Sequence, residues 1–590
     1  MLYSFIADIY EKIEETTKRL EIIDHLVNLF KETNTNLIDK VVYLTQGKLY
    51  PDYIGVEIGI AEKLAIRAIA ISTGNSLEKI RTFYKKVGDI GLVAEKVLKS
   101  SKQVTLFKEQ LTVNRVYKTL DKIAKTSGPG SLNVKLKYIS SLFNDATPKE
   151  AKYIIRTVTG KLRLGVADYT VLDALAIAYT GDKSNRPTLE RAYNLSSDLG
   201  TIAKTVASQG LKGIKSYRIT INRPVRPMLS ERLETVHEII EKLNGKCIAE
   251  YKLDGERIQI HKNGSLITLF SRRLENITNH YPDVIDLAMI YLKADKVITE
   301  AECVAVNPDT GKLLPFQELM HRRRKYEINK ALIEYPVSLF FFDILYLDGE
   351  DLTQRPYLER REKLKQLVTQ DDRIKIVPSI YSDDPKEIEN FLGEAIANGC
   401  EGIMAKDPNG IYRAGAREFS WIKLKREYGS ELGDTLDLVI VGAFYGRGRR
   451  AGKYGAFLLT AYDKDNDMFR SVSKIGTGFT DETLEKIPKI LAPYKIDHIH
   501  ARVDSKLEAD VWFIPHIVIE VIAAEITISP IHTCCMNAIR KGSGLALRFP
   551  KYTGRLRNNK APEDATTVKE IEEIYKGQLK RVEKQKNHDN

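Results

Sequence analysis

A lysine stands at residue 252, where the apolar pair Cys247-Ile248 gives way through Leu253-Asp254-Gly255 to the alternating segment Arg257-Ile258-Gln259-Ile260-His261. Alternation of apolar and polar residues is the mark of a half-buried strand. Asn263-Gly264 is a favoured two-residue turn, and Leu266-Ile267-Thr268-Leu269-Phe270 follows it. The spacing therefore predicts a hairpin with a type I′ turn centred on Asn263-Gly264. A lysine at the rim of such a hairpin can point into a cleft held rigid by the sheet. A surface lysine satisfies the same fragment equally well.

Further segments follow in order: Ser271-Arg272-Arg273, Glu300-Ala301-Glu302, an apolar run at 339–347 that contains Phe342-Asp343, Glu401-Gly402-Ile403-Met404-Ala405-Lys406 and Trp421-Ile422-Lys423-Leu424-Lys425. With Lys252-x-Asp254-Gly255 and Arg257, they resemble the motif set of the ATP-dependent DNA ligases and their relatives, the RNA ligases and mRNA capping enzymes. The likeness covers nearly the whole chain and is closest to archaeal replicative DNA ligases.

The implied fold is multidomain α+β. An all-helical DNA-binding domain would span 1–221, a mixed nucleotidyltransferase (adenylation) domain 222–430, and an oligonucleotide-binding (OB-fold) β-barrel with a charged tail 431–590. The chain's own texture agrees. Phe5, Ile9, Ile13, Leu20, Ile23, Val27 and Phe30 recur at helical intervals, and similar patterns run through 60–73, 79–86 and 147–159. No strand is expected before about residue 215. Ile221-Asn222-Arg223-Pro224-Val225-Arg226-Pro227-Met228 has two prolines and no helical period, so it reads as an extended connection. Beyond residue 430, short strands at 438–442, 457–462 and 469–473 precede a helix at 481–491 and an apolar run at 511–528. A small barrel fits that order. The stretch from about 566 reads as a solvated, frayed helix and tail.

At 590 residues the chain exceeds one comfortable core. A net charge of +12 suits a polyanionic partner without demanding one. Five scattered cysteines with no Cys-x-x-Cys pair argue against a zinc site or a disulfide framework and fit a reducing compartment. No apolar run approaches membrane-spanning length, and a cytoplasmic protein is the simplest reading.

A lysine attacks phosphorus only as the neutral amine, so Lys252 needs burial, cationic neighbours or a metal-bound triphosphate beside it. Carboxylates such as Glu302 and Glu401 supply the hard oxygen ligands that magnesium requires. Lys423 and Lys425 alternate onto one face of a strand. On residue type alone, Arg257 and Arg272 read as surface ion-pair members and Phe342 as a core residue. The resemblance implies more. Lys252 takes AMP from ATP as a phosphoramidate, and Glu250 recognises the base largely through its backbone. Phe342 stacks on the adenine. Arg257, Arg272 and Arg417 hold the nucleotide, while Lys423 and Lys425 hold the α-phosphate. Glu302 contacts the ribose and helps bind magnesium (manganese substituting), and Glu401 is a metal ligand. Ala301 stands where many relatives have glycine, which leaves the loop path open.

Outside the pocket, Gly128-Pro129-Gly130-Ser131 and Gly160-Lys161-Leu162-Arg163 are either helix terminations or backbone contacts to duplex DNA. Gln103-Val104-Thr105-Leu106-Phe107 looks like a shortened sliding-clamp peptide, with Gln103, Leu106 and Phe107 as anchors; buried helix residues are the rival reading. Arg447, Arg449, Arg450 and Lys453 lie in a basic glycine-rich turn that suits a DNA backbone or a solvated hairpin tip. Arg548 to Lys560 resembles the family's last motif, with Asn558-Asn559 where acidic residues are common. The expected activity is nick sealing in duplex DNA by a monomer. An RNA ligase or capping enzyme, an NAD-using relative, a P-loop ATPase and a non-catalytic DNA-binding scaffold are the rivals.

Overall fold

In the computed structural model, the described residues are all but 101–108, 308–312, 315, 320–321, 323–327, 426–434, 447–452 and 588–590. They fall into two compact units, residues 1–68 with 102–426 and residues 69–101 with 427–590. Among the described residues the first strand is Leu229–Arg232, so the N-terminal part is helical as its periodicity predicts. Tyr3–Glu15 buries Tyr3, Ile6, Ile9, Tyr10 and Ile13, one stripe of a 3.6-residue period. Pro148–Val158 starts where Thr147 and Glu150 exchange side-chain and backbone hydrogen bonds in a capping box, with Pro148 in the first turn.

The middle of the chain folds into two sheets. Its strands are β1 (Leu229–Arg232), β2 (Cys247–Lys252), β3 (Glu256–Asn263), β4 (Leu266–Ser271), β5 (Lys296–Ala305), β6 (Val337–Leu347), β7 (Glu350–Asp351), β8 (Ile374–Ile376), β9 (Ser379–Ser382), β10 (Gly402–Lys406) and β11 (Arg417–Lys425). The first sheet runs β1-β11-β10-β2-β9 and the second β4-β3-β5-β6-β7, with β8 against β6. Helices Val236–Lys242 and Pro385–Ala397 pack on the first sheet. The buried length of β6, Val337 through Leu345, explains its apolar run, which Asp343 interrupts as the partner of buried Arg360.

Lys252 ends β2 in one sheet and Glu256 begins β3 in the other, so Leu253-Asp254-Gly255 is the crossing between them. A Cβ at Gly255 would lie 2.4 Å from the Cys303 carbonyl oxygen. Only glycine lets β3 come this close to β5. The hairpin turn differs from expectation by one residue. Asn263 remains in the ladder, paired with Leu266 and Lys296, and the turn is Gly264-Ser265 with only Gly264 at positive φ. Pairing of Asn263 on both edges holds it extended, and a type I′ turn would need positive φ at two successive residues.

The connection 221–228 is not extended throughout, since Ile221-Asn222 form a turn with Asn222 at φ +66°, and the strap that follows is read by one face of β3. Asn222 N donates to His261 Nδ1 at 3.0 Å, Val225 N donates to Gln259 Oε1 at 2.8 Å, and Arg257 Nη1 donates to the Met228 carbonyl at 2.8 Å. Every third strap residue thus meets every second residue of β3. His261 is fully buried, and burial pushes its pKa down to about 3. A histidine charged in the unfolded chain below its ordinary value of about 6.5 but neutral when folded withholds stability as pH falls. Stability from His261 is therefore complete above pH 6.5 and lost progressively towards pH 3. Between pH 6.5 and 5 the loss is about 2 kcal/mol. Thermal denaturation across that range in the protein and in His261→Asn, which keeps an acceptor near Nδ1, should show a flatter pH dependence for the variant.

In the second unit β12 (Leu436–Tyr445), β13 (Tyr454–Asp463) and β14 (Met468–Ile475) form antiparallel neighbours in a curled sheet, and helix Asp481–Leu491 follows. The apolar run 511–528 breaks into Val511–Phe513, Val518–Ile522 and Glu525–Ser529. The charged terminal helix, Val568–Asn587, is docked at its start rather than solvated. Ile571 is fully buried in the unit's core, and Gln578 Oε1 accepts from Ile526 N at 3.1 Å.

Candidate active site

Register places the motif residues in rows. Lys252, Gly402 and Lys425 lie side by side across β2, β10 and β11, and Glu250, Met404 and Lys423 form the next row. Residues two apart share a face, so Glu250, Lys252, Lys423 and Lys425 stand on the same side of the sheet. Glu401 precedes β10 and ties its backbone N to the Lys252 carbonyl at 2.8 Å. Its Oε2 lies 2.5 Å from Lys252 Nζ and 2.7 Å from Lys425 Nζ. One carboxylate therefore gathers two amines. That gathering depends on Gly402, whose φ is +146° and whose added Cβ would sit 2.2 Å from the Leu424 carbonyl oxygen. Backbone cannot yield as a side-chain tip can. Gly402→Ala is expected to cost about 3 kcal/mol of stability by strain and steric conflict; a thermal melt unchanged from the parent would contradict this.

The acids around the lysine press on one another. Burial first, and then the nearby Glu401 carboxylate, raises the Asp254 carboxyl above its usual range, although Asp254 Oδ2 accepts from Phe316 N at 3.1 Å. Half-buried Glu302 is pushed up to about 7 by burial, with Lys252 and Arg257 opposing and Glu401 and Asp254 reinforcing. Against burial, Lys252 and Lys425 hold the Glu401 carboxyl low. The opposite excess lies beside it. Burial holds the Lys423 amine below its ordinary value, and the cations Arg417, Lys425, Lys252 and Arg272 act on it in the same direction. Five basic side chains converging on one place, some without an acidic partner among the described residues, form a well for a polyanion.

Below this well lies a buried network. The Glu250 carboxylate accepts from Arg361 and from Tyr357 Oη and lies 2.6 Å from Lys406 Nζ. Its side chain is thus engaged from beneath. The Lys406 ammonium sits 4.9 Å from the Phe342 ring centre and 4.3 Å from both Tyr357 and Trp421. Phe342 is largely buried, at 9 % exposure. Arg257 spends its fork on buried Glu300, with Nη2 to Oε2 at 2.6 Å and Nε to Oε1 at 3.2 Å, and reaches Tyr412 Oη at 3.1 Å. Its guanidinium carbon is 5.3 Å from the Phe342 and Trp421 ring centres. Arg257 therefore braces the pocket wall.

Asp254, Lys406, Arg361, Tyr357 and Tyr412 were not singled out from sequence. Asp254 and Lys406 lay inside motifs already quoted; helix and loop residues 357, 361 and 412 carry no local signal. Lys453 pairs with Glu485 at 2.7 Å, and Lys161 pairs with Glu62. Gly130, at φ +79°, caps helix Ser131–Asp145. Near the chain's end, Arg557 reaches Asp437 and Glu520 at 3.3 and 3.2 Å, and Lys560 reaches Asp437 at 2.7 Å. Arg447, Arg449, Arg450, Gln103, Leu106 and Phe107 lie outside the described residues.

Three family models match the chain: "DNA ligase N terminus" over residues 2–176, "ATP dependent DNA ligase domain" over 227–425 and "ATP dependent DNA ligase C terminal region" over 450–560. "DNA ligase 2" of Thermofilum pendens is 54% identical over 588 residues, 98% of each chain. "DNA ligase" of Staphylothermus marinus is 50% identical over 596 residues, covering 99% of this chain and 100% of the relative. A solved structure titled "Pmar-Lig_PreS3" superposes with a TM-score of 0.54 at 17% identity, over 93% of this chain and 99% of the other.

Proposed function

The chain belongs to the ATP-dependent DNA ligases, and on that premise we propose that Lys252 carries adenylate from ATP to a nicked DNA end. One observation supports this above the others. The Lys252 amine lies 2.5 Å from Glu401, at the edge of a sheet face that carries Lys423, Lys425 and Arg417, with Arg272 adding positive charge from the end of β4 in the other sheet.

The Lys252–Glu401 pair opens when a triphosphate enters, because the phosphate oxygens compete for the same cations. Lys252 first gives up a proton to solvent; the lone pair of the neutral amine then attacks the α-phosphorus, an N–P bond forms, the bond to pyrophosphate breaks and a second proton leaves the nitrogen for solvent. Lys423 and Lys425 stabilise the charge that builds on the α-phosphate oxygens. The lysyl-bound AMP then passes to the 5′-phosphate of the nick, and the 3′-hydroxyl displaces AMP to close the strand. Phe342 and the backbone of Glu250 receive the adenine. Glu302 and Glu401 fit magnesium, since their hard carboxylate oxygens act on one another there, and burial, reinforced by Glu401 and Asp254, raises the Glu302 carboxyl to about 7. Bound there, the cation would neutralise phosphate charge. Arg257 acts on the nucleotide through the wall it braces.

We assign residues 1–221 to DNA binding, 222–430 to adenylation and 431–590 to the OB-fold part. The basic turn with Arg447, Arg449, Arg450 and Lys453 is assigned to the DNA backbone, and Gln103, Leu106 and Phe107 to a sliding clamp. We take the ligase to be a cytoplasmic monomer. Incubation with α-labelled ATP and magnesium should label the protein, and nicked duplex DNA should then discharge the label. Discharge by a nicked RNA duplex alone would move the assignment to an RNA ligase.

A further inference from the structure

The strap 222–228 is joined to the pocket wall by a continuous ladder of hydrogen bonds. At its far end, Asn222 N donates to His261 Nδ1, which leaves the ring proton on Nε2, 2.9 Å from Gln259 Oε1. Gln259 grips Val225 on both sides, accepting from its N at 2.8 Å and donating Nε2 to its O at 3.0 Å. At the near end, Tyr412 Oη accepts from Met228 N at 3.0 Å and from Arg257 Nη2 at 3.1 Å. Arg257 donates back to the Met228 carbonyl and flanks Phe342 at 5.3 Å. The strap's outer side belongs to the helical part. Arg226 N donates to the Asn194 carbonyl at 2.8 Å, Arg226 Nη1 donates to Tyr193 Oη at 2.5 Å, and Ser197 Oγ donates to the Pro224 carbonyl at 2.6 Å.

We propose that the ladder Asn222–His261, Val225–Gln259, Met228–Tyr412–Arg257 couples the seating of the helical part to the nucleotide pocket, with Tyr412 and Gln259 as positioning residues for ATP binding. Neither touches the nucleotide. Tyr412 holds Arg257 directly and Gln259 holds it through Glu300, to whose Oε1 the Gln259 Nε2 donates at 3.4 Å, and Arg257 fixes the aromatic wall that meets the adenine. The coupling is reciprocal by thermodynamic necessity: if a seated strap favours nucleotide, nucleotide favours a seated strap by the same factor. The proposal rests on the pocket assignment above, and its test separates the two.

Tyr412→Phe removes one oxygen and keeps the ring that packs on Trp421 with centroids 5.9 Å apart. In single-turnover labelling with ATP, it is expected to raise the ATP concentration for half-maximal rate about tenfold with the maximal rate within about threefold, a loss near 1.4 kcal/mol of binding. Gln259→Met should behave alike. Independently of any variant, saturating AMP should slow amide exchange at Asn222, Val225 and Met228 in the full chain several-fold. Half-saturation unmoved in Tyr412→Phe, a fall confined to the maximal rate, or exchange indifferent to AMP would each overturn the coupling. Persistence of label in Lys252→Ala would instead refute the nucleophile and leave these readings intact.

Discussion

Lys252→Ala is expected to fold normally and to take no label from ATP, a fall on the order of 10⁴-fold or more in adenylate formation, as for other removed nucleophiles. Folding survives because the lysine stands at a strand end with its side chain 21% exposed and paired to a Glu401 side chain that is itself 26% exposed. A pair of that kind contributes at most about 1 kcal/mol. Lys252→Arg is the sharper companion. Guanidinium can keep the contact with Glu401, yet it stays charged and offers no lone pair, so it should be as inactive as alanine while melting like the parent. Both variants should still join a nick whose 5′ end already carries AMP, because that step asks the pocket to bind adenylate without accepting it onto nitrogen. Measurable label on either variant would remove Lys252 from the mechanism.

The reach of the sequence follows from the range of the interactions involved. Helices with an apolar stripe and a capping residue, such as Pro148–Val158, are written within a dozen positions, and so is the β3–β4 hairpin. The turn within that hairpin slipped by one residue because β5 also pairs with Asn263, a contact from more than thirty positions away. Lys252, Glu401 and Lys425 sit at strand ends or beside a glycine that the crossing sheets demand, and Gly255 and Gly402 show the steric reason directly; Glu302, Phe342 and Lys423 lie within strands and were legible through the resemblance alone. The supports were not legible. Arg361 and Tyr357 reach Glu250 from a helix more than a hundred residues on, and Tyr412 reaches Met228 from a loop still further away. Nothing in the residues around 357, 361 or 412 announces those partners. The terminal helix misled for a related reason: its composition is that of a solvated segment, yet a single face carrying Ile571 suffices to dock it.

Glu401→Gln should cut adenylate formation by roughly 10²-fold at modest magnesium and recover part of it as magnesium rises. Two roles are open to this carboxylate. As the counter-charge of Lys252 and Lys425, at 2.5 and 2.7 Å, it gathers the amines before nucleotide arrives. As a hard oxygen beside the incoming phosphates, it would hold the cation once the lysines turn to the triphosphate. Glutamine keeps the size and a carbonyl oxygen but loses the charge, so it weakens both roles, and they diverge in what magnesium does. If Glu401 only gathers amines, the half-saturating magnesium concentration stays where it was and the deficit persists at every concentration. If it holds the cation, that concentration rises about tenfold and the deficit shrinks as the site fills. The second result is expected, because Lys425 lies beside Lys252 across Gly402 by strand register alone and needs no carboxylate to bring it there.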